Sequence, residues 1–248
     1  MALDFLTMMA IGFLAQLVDG ALGMAFGLIS TTALLSFGVA PAQASAAVHM
    51  AEVVTTGASG LAHLRQGNID RRLFISLGLA GVVGGVLGAW VLSNIDGATI
   101  RPYIAVYLLL VGALILRKAV RATPPRRDAA TRMAAPLGLA GGFHDAVGGG
   151  GWGPLVTSTL IGSGHAPRTV IGSVNAAEFF VTVAISTTFV LHMGVQHLTA
   201  VLGLIAGGVL AAPLGAVLAR YLPPRLLMAA VGVLVSTLAT MQLVQVLR

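Results

Sequence analysis

Cysteine is absent from all 248 residues, and its absence excludes disulfide bonds and thiolate metal sites. Charge is also scarce, since Asp, Glu, Lys and Arg together make up 9% of the chain, while hydrophobic residues make up 57%. Soluble domains carry about 25% charged residues. The composition therefore excludes an ordinary soluble domain.

Long apolar segments fill most of the sequence. A helix needs about 20 apolar residues to cross roughly 30 Å of hydrocarbon, and segments of that length are separated here only by short polar connections. We therefore predict an all-α integral membrane protein. Its apolar segments are residues 3–37, 44–63, 73–93, 99–116, 134–163, 169–191, 198–219 and 226–247.

The net charge of +6 does not indicate a nucleic-acid partner. The basic residues lie in short loops between apolar segments, where membrane orientation requires them, so we expect the lipid bilayer as the partner. The amino terminus lacks the basic region of a cleavable signal peptide, and we expect it to be retained. We place the protein in the cell membrane, as a multi-pass protein of a bacterial inner membrane.

The sequence repeats itself at a spacing of 126 residues. Asp19 aligns with Asp145, and Glu52 aligns with Glu178, without a gap. From position 12 to position 56, 13 of 45 residues are identical, whereas this composition gives about one chance match in ten. The chain is therefore a duplication, with repeat 1 at residues 1–118, a basic linker at 119–132 and repeat 2 at 133–248.

The first apolar segment of each repeat is too long for one membrane span. The segment in repeat 2 contains four consecutive glycines at 148–151, and each glycine destabilises a helix by about 1 kcal/mol relative to Ala. Residues 20–27 are the glycine-rich counterpart in repeat 1. We predict about four hydrophobic segments in each repeat, the first of them broken at mid-membrane into two half-helices.

The distribution of Arg and Lys predicts how the repeats are oriented. If each broken segment turns back, twelve of the fourteen basic residues lie on one side, which the positive-inside rule identifies as the cytoplasm. Both termini are then outside, and the loops at 64–72, 117–132 and 220–225 are inside. Each repeat makes an odd number of crossings, so the repeats are inverted, which is a recurring design of secondary transporters.

Four carboxylates fall inside apolar segments, namely Asp19, Glu52, Asp145 and Glu178. An ionised carboxylate at the bilayer centre costs about 2.5–3.5 kcal/mol, so these four must face one another, water or the protein interior. We predict that they take part in proton coupling. The two aspartates have an alternative role, because Asp just before a helix is a good N-cap.

Polar residues next to these carboxylates predict an anion site. Each glutamate shares a helix face with a polar residue three positions before it and a threonine four positions after it. Each glycine-rich break precedes a helix start, whose free N–H groups and positive dipole end favour an anion. The predicted substrate-binding residues are Gln16, Gly20, Gly23, Gly27, His49, Thr56, Gly148, Gly149, Gly150, Gly151, Asn175 and Thr182.

The sequence gives little support for catalysis. His49 and Glu52 have the spacing of a divalent-metal pair, but Asn175 replaces the histidine in repeat 2. The chain lacks a serine or cysteine nucleophile motif, a phosphate loop and a zincin helix. We predict no resident metal, no cofactor and no enzymatic activity. Glycine pairs four residues apart, at 81 and 85, 84 and 88, and 203 and 207, predict close helix packing instead.

Several motifs carry a family resemblance. They are the Asp-then-glycine break of repeat 1, the GxxxDAVGGGGWGP copy at 141–154, the Gly-x-Ala-Pro turns at 38–41 and 164–167, and VNAAEF at 174–179. With these motifs the chain resembles the sulfite exporter TauE/SafE family of membrane permeases over essentially its whole length. The resemblance implies a permease that moves a small sulfur oxyanion such as sulfite or a sulfonate, mostly outward.

Three alternative functions are compatible with parts of the sequence. The four carboxylates suit a cation or divalent-metal transporter, His49 and Glu52 suit a membrane-embedded metal-dependent hydrolase, and a scaffold would transport nothing. The hydrolase requires more paired histidines than the membrane segments contain, and the scaffold has no use for symmetric carboxylates. Exposed helix N-termini at the centre favour an anion, whereas converging carboxylates without donors favour a cation.

Overall fold

A computed structural model describes residues 4–22, 24–120, 130–163, 165–221 and 223–247. Every regular element in these ranges is a helix, which confirms the predicted all-α class. Residues 121–129, most of the predicted linker, lie outside the described residues. The elements are α1 (Phe5–Leu22), α2 (Phe26–Ser36), α3 (Pro41–Arg65), α4 (Arg71–Asn94), α5 (Gly97–Val120), α6 (Ala130–Gly148), a π-helical turn (Gly153–Thr157) that continues into α7 (Ser158–Gly162), α8 (Pro167–Met193), α9 (Leu198–Tyr221) and α10 (Pro224–Leu247).

The long helices begin at residues suited to helix starts. Pro41 and Pro167 open α3 and α8, where the fixed φ of proline is already helical and its missing N–H costs nothing. Asp70 precedes α4, and its carboxylate accepts a hydrogen bond of 3.0 Å from the N–H of Leu73. Four of the described helices, α4, α5, α8 and α10, contain stretches long and apolar enough to cross a membrane.

Both predicted breaks are present. The first separates α1 from α2, and the second separates α6 from the π-helical turn. Gly149 and Gly150 have φ angles of 65° and 146° in the second break, a region that glycine enters without a steric penalty. Ala25 has a φ of 140° in the first break, which is unfavourable for a residue with a Cβ atom.

The two halves of the chain interlock. The first helix of each half packs along the fourth helix of the other half, so α1 lies on α9 and α6 lies on α4. Glycines allow these close contacts. A methyl group at Gly84 would collide with the carbonyl oxygen of Leu139, and one at Gly207 would collide with that of Met9. The packing role predicted for the glycine pairs is confirmed at these helices.

Helices that correspond in the two halves run in opposite directions where they meet. Along α3 and α8, residue 49 lies near residue 189, residue 57 near residue 179 and residue 60 near residue 176. By contrast, α1 runs parallel to α9, and α6 runs parallel to α4. As a result, α1 and α3 point the same way, and so do α6 and α8. The short helices α2 and α7 must therefore return the chain toward the side from which α1 and α6 began.

Candidate functional site

The two helix breaks meet at the centre of the molecule. The hydroxyl of Thr31 on α2 donates a hydrogen bond of 2.5 Å to the carbonyl oxygen of Gly149 in the other break. Gly27 lies so close that an added methyl carbon would be 2.7 Å from the Cα of Gly150. The first turn of α2 therefore rests directly on the glycine-rich backbone of repeat 2.

Each break is closed by the aspartate that precedes it. The Asp145 Oδ1 atom accepts hydrogen bonds from the N–H groups of Gly151 at 2.7 Å and Trp152 at 3.0 Å. The Asp19 Oδ1 atom accepts a longer bond of 3.3 Å from the N–H of Phe26. From the sequence we predicted that these N–H groups bind an anion. In this conformation they donate to the protein's own carboxylates instead.

His49 joins α3 to the second break. Its Nδ1 atom lies 2.8 Å from the carbonyl oxygen of Ser45, which can only accept, so Nδ1 carries a proton. Its Nε2 atom lies 3.3 Å from Asp145 Oδ2. Both residues are almost completely buried. The Nε2 and Oδ2 atoms are therefore within hydrogen-bond distance of each other across the break.

Glu52 is buried beside this pair. Its Oε2 atom lies 4.0 Å from His49 Nε2 and has no hydrogen-bond partner. Its Oε1 atom would lie 2.8 Å from a methyl carbon added at Gly27. Glu52 thus contacts the start of α2 with one oxygen and leaves the other oxygen unpaired in the interior, where an unsatisfied polar group is costly.

The four predicted carboxylates meet around two small adjoining cavities, which we name the carboxylate chamber. Each cavity has a free volume of about 10 Å³, roughly the space of one water molecule. The chamber is therefore too small for an oxyanion in this conformation. Its polar lining is Asp19, Glu52, Thr55, Thr56, Ser59, Asp145, Asn175 and Glu178.

The two halves contribute unequally to the chamber. Asn175 occupies the position in repeat 2 that His49 has in repeat 1, and it lines the chamber beside Glu178. Asp145 is 1% exposed, whereas Asp19 is only partly buried. The histidine therefore faces the carboxylate of the other half, whereas Asn175 lines the chamber with an amide that does not titrate.

The remaining predicted residues have different surroundings. Gln16 is buried, and its Oε1 atom lacks a partner. Gly20 is exposed at the end of α1, and Gly23 lies outside the described residues. Gly148 packs against the ring of Tyr107, and Gly151 lies beside the hydroxyl of the same residue.

Sequence reasoning missed four residues near the site, namely Thr55, Ser59, Tyr107 and Pro154. Tyr107 corresponds to Val233 in repeat 2, so the repeat provided no signal for it. Thr55 and Ser59 lie three and seven positions after Glu52, on the same helix face. Their counterparts in repeat 2 are the apolar residues Val181 and Ile185, so the repeat did not mark them.

Comparison with known proteins identifies the family of the chain. The family described as sulfite exporter TauE/SafE matches residues 8–241. The probable membrane transporter protein YtnM of Bacillus subtilis is 42% identical over 230 residues, which cover 90% of this chain and 77% of that protein. No solved structure matches. The protein is a multi-pass membrane transporter, and it belongs to the sulfite exporter TauE/SafE family.

Proposed function

We propose that this transporter exports a small sulfur-containing oxyanion, such as sulfite or an organosulfonate, by alternating access between its two halves. The observation that carries the proposal is the carboxylate chamber. It lies where two helix breaks meet, and it receives two acidic residues from each half. Substrate and ion sites of secondary transporters are built from interrupted helices at such repeat interfaces.

The size of the chamber supports alternating access. A free volume of about 10 Å³ in each cavity holds one water molecule and is too small for an oxyanion. The helices that wall the chamber must therefore move apart before the anion enters. The contact between Gly27 and the second break makes α2 one of the elements that has to move.

The charge of the chamber supports proton coupling. Four ionised carboxylates beside a bound anion repel it strongly in a low-dielectric interior, so some of them are protonated when the anion is present. The aspartates are held as caps of the helix starts, and Glu52 keeps one oxygen free. We therefore assign proton release to Glu52 and Glu178, with the proton and the anion moving together.

Neutral donors are available for the anion once the carboxyl groups are protonated. The chamber contains the hydroxyl of Ser59 and the amide of Asn175, and the hydroxyls of Thr55 and Thr56 become donors to an anion when they leave the carbonyl oxygen of Glu52. A protonated carboxyl also donates one hydrogen bond. An oxyanion with three oxygens is bound by such a set without a permanent positive charge.

Flux measurements in proteoliposomes test this function. We expect outward transport of sulfite and simple sulfonates that becomes faster when an imposed pH gradient drives protons in the same direction. A membrane potential that is negative inside also favours the exit of an anion, by about 2.3 kcal/mol per charge per 100 mV, so the potential is clamped in both arms. A wild-type flux that is insensitive to the pH gradient contradicts proton coupling, and the absence of any flux contradicts the substrate class.

A specific observation favours a divalent-cation transporter as the second candidate. His49, Glu52 and Asp145 each offer a ligand atom, and these atoms lie within 4.8 Å of one another. The Nδ1–H of His49 donates to a backbone carbonyl, as in many metal-binding histidines. Uptake of Mn²⁺ or Zn²⁺ by the same vesicles, followed with an entrapped dye, decides between the candidates. Metal flux without sulfite flux establishes the cation transporter.

A further inference from the structure

Another cavity, much larger, lies beside the carboxylate chamber. It has a volume of about 130 Å³, close to the roughly 150 Å³ of an engineered protein cavity that binds benzene. Met24 and Pro154 line both this cavity and the chamber, so the two spaces are separated by these side chains. We name it the Lys118 vestibule; it is lined by Met24, Val111, Leu114, Ile115, Lys118, Gly151, Pro154, Leu155, Ser158, Thr159 and Met228.

Lys118 supplies a positive charge to an otherwise mostly apolar wall. It lies in the last turn of α5 and is partly buried, whereas the neighbouring Arg117 is exposed. The Lys118 ammonium donates to the hydroxyl of Ser158, and that hydroxyl donates its own proton to the carbonyl oxygen of Pro154. An ammonium has three N–H donors, so two remain for a ligand after the bond to Ser158.

The corresponding place in the other half is built differently. Val244 and Thr32 stand where the first half has Lys118 and the second half has Ser158. There α10 packs directly on α2, and the buried amide of Gln242 donates a bond of 3.2 Å to the carbonyl oxygen of Thr32. The vestibule and its cation therefore belong to one side of the pseudo-symmetric molecule.

We propose that the Lys118 vestibule is the cytoplasmic entry site for the transported oxyanion, where Lys118 holds the anion before Met24 and Pro154 move apart to admit it to the chamber. The inference rests on the proposed function for the identity of the anion. It adds a binding site and a direction. The cytoplasmic side follows from the basic residues at 117–132, a range that includes Lys118 itself.

A transport experiment tests the role of Lys118. In vesicles with this face accessible to substrate, Lys118→Gln raises the KM for sulfite roughly tenfold, since a hydrogen bond to a charged group is lost, while kcat stays close to the wild-type value. Arg117→Gln is the matched control, because it removes the same charge from an exposed position one residue away. Equal KM values for the two variants overturn the proposal.

A labelling experiment tests the vestibule without requiring transport. Thr159→Cys introduces the single cysteine of the chain into the vestibule wall, and membrane-impermeant methanethiosulfonates are applied to inside-out vesicles. The reagent that bears a sulfonate group reacts faster than the one that bears a trimethylammonium group. Lys118→Gln abolishes this preference, and Arg117→Gln preserves it.

The labelling outcomes separate the two proposals. A charge preference that depends on Lys118 supports the vestibule even if the vesicles transport no sulfite, in which case the proposed substrate is wrong. Absence of reaction at Thr159→Cys, or a preference that Lys118→Gln leaves unchanged, overturns the vestibule even if sulfite is transported.

Discussion

Thr56 and Thr182, which are separated by one repeat length of 126 residues, meet side chain to side chain with their hydroxyl oxygens 3.5 Å apart. Each hydroxyl has one proton and donates it within its own helix, Thr56 to the carbonyl of Glu52 and Thr182 to that of Phe179. The contact between them is therefore weak, and it marks a place where α3 and α8 pack against each other.

The first prediction uses this contact. We expect the double variant Thr56→Cys with Thr182→Cys to form a disulfide under mild oxidation, because the two side chains already touch. The native chain has no cysteine that could compete. The bond fixes α3 to α8 and stops transport until a reductant is added. A protease site in residues 121–129 reports the bond, since the cleaved halves then stay together on a non-reducing gel. Separation of the halves, as expected for either single variant, contradicts this contact.

The second prediction concerns the close contact of α4 with α6. Gly84→Ala places a methyl group against the carbonyl oxygen of Leu139, and we expect a loss of about 1–3 kcal/mol of stability from overpacking. Gly78→Ala on the same helix is the control, because its methyl carbon would lie 3.8 Å from the Cβ of Ala177. Heating in detergent followed by size-exclusion chromatography measures both. Equal melting of the two variants refutes the tight packing.

The sequence predicted some of these features because their signals are local or repeated. Consecutive glycines interrupt a helix wherever they occur, and a carboxylate in an apolar segment is costly whatever its neighbours are. The contact of His49 with Asp145 joins residues 96 apart in sequence, and it depends on how α3 crosses α6. No pattern within either helix encodes that crossing. The sequence did not predict Lys118 as a site residue for another reason, because a basic residue at the end of an apolar segment indicates a solvated loop.

The third prediction distinguishes the two capping aspartates. Asp145→Ala removes the acceptor of two short backbone bonds and the partner of His49, so we expect a loss of about 1–3 kcal/mol of stability. Asp19→Ala removes one bond of 3.3 Å and destabilises less. Asp145→Asn keeps an acceptor oxygen for the N–H groups and falls between the wild type and Asp145→Ala. A larger loss in Asp19→Ala contradicts the asymmetry.

The fourth prediction tests the orientation of the repeats. Gln66 is exposed in the loop between α3 and α4, and Val195 is 53% exposed in the loop between α8 and α9. We expect an impermeant thiol reagent to label Val195→Cys in intact cells and Gln66→Cys only in inside-out vesicles. Asn68 is a poorer reporter because it is 5% exposed. Labelling of both positions from the same face is incompatible with inverted repeats.

The last prediction concerns proton coupling through the glutamates of the chamber. Glutamine has the shape of a protonated glutamate and cannot release a proton, so Glu52→Gln with Glu178→Gln mimics the anion-bound state permanently. We expect this double variant to lose sulfite accumulation driven by a pH gradient, because no proton accompanies the anion. Exchange of sulfite across the membrane continues, because the donors of the chamber are intact. Asp96→Asn makes the same chemical change in an exposed loop and serves as the control. If the double variant still accumulates sulfite when the gradient is applied, the protons take another route. His49 and Asp145, whose Nε2 and Oδ2 atoms lie 3.3 Å apart, are then the groups to test next.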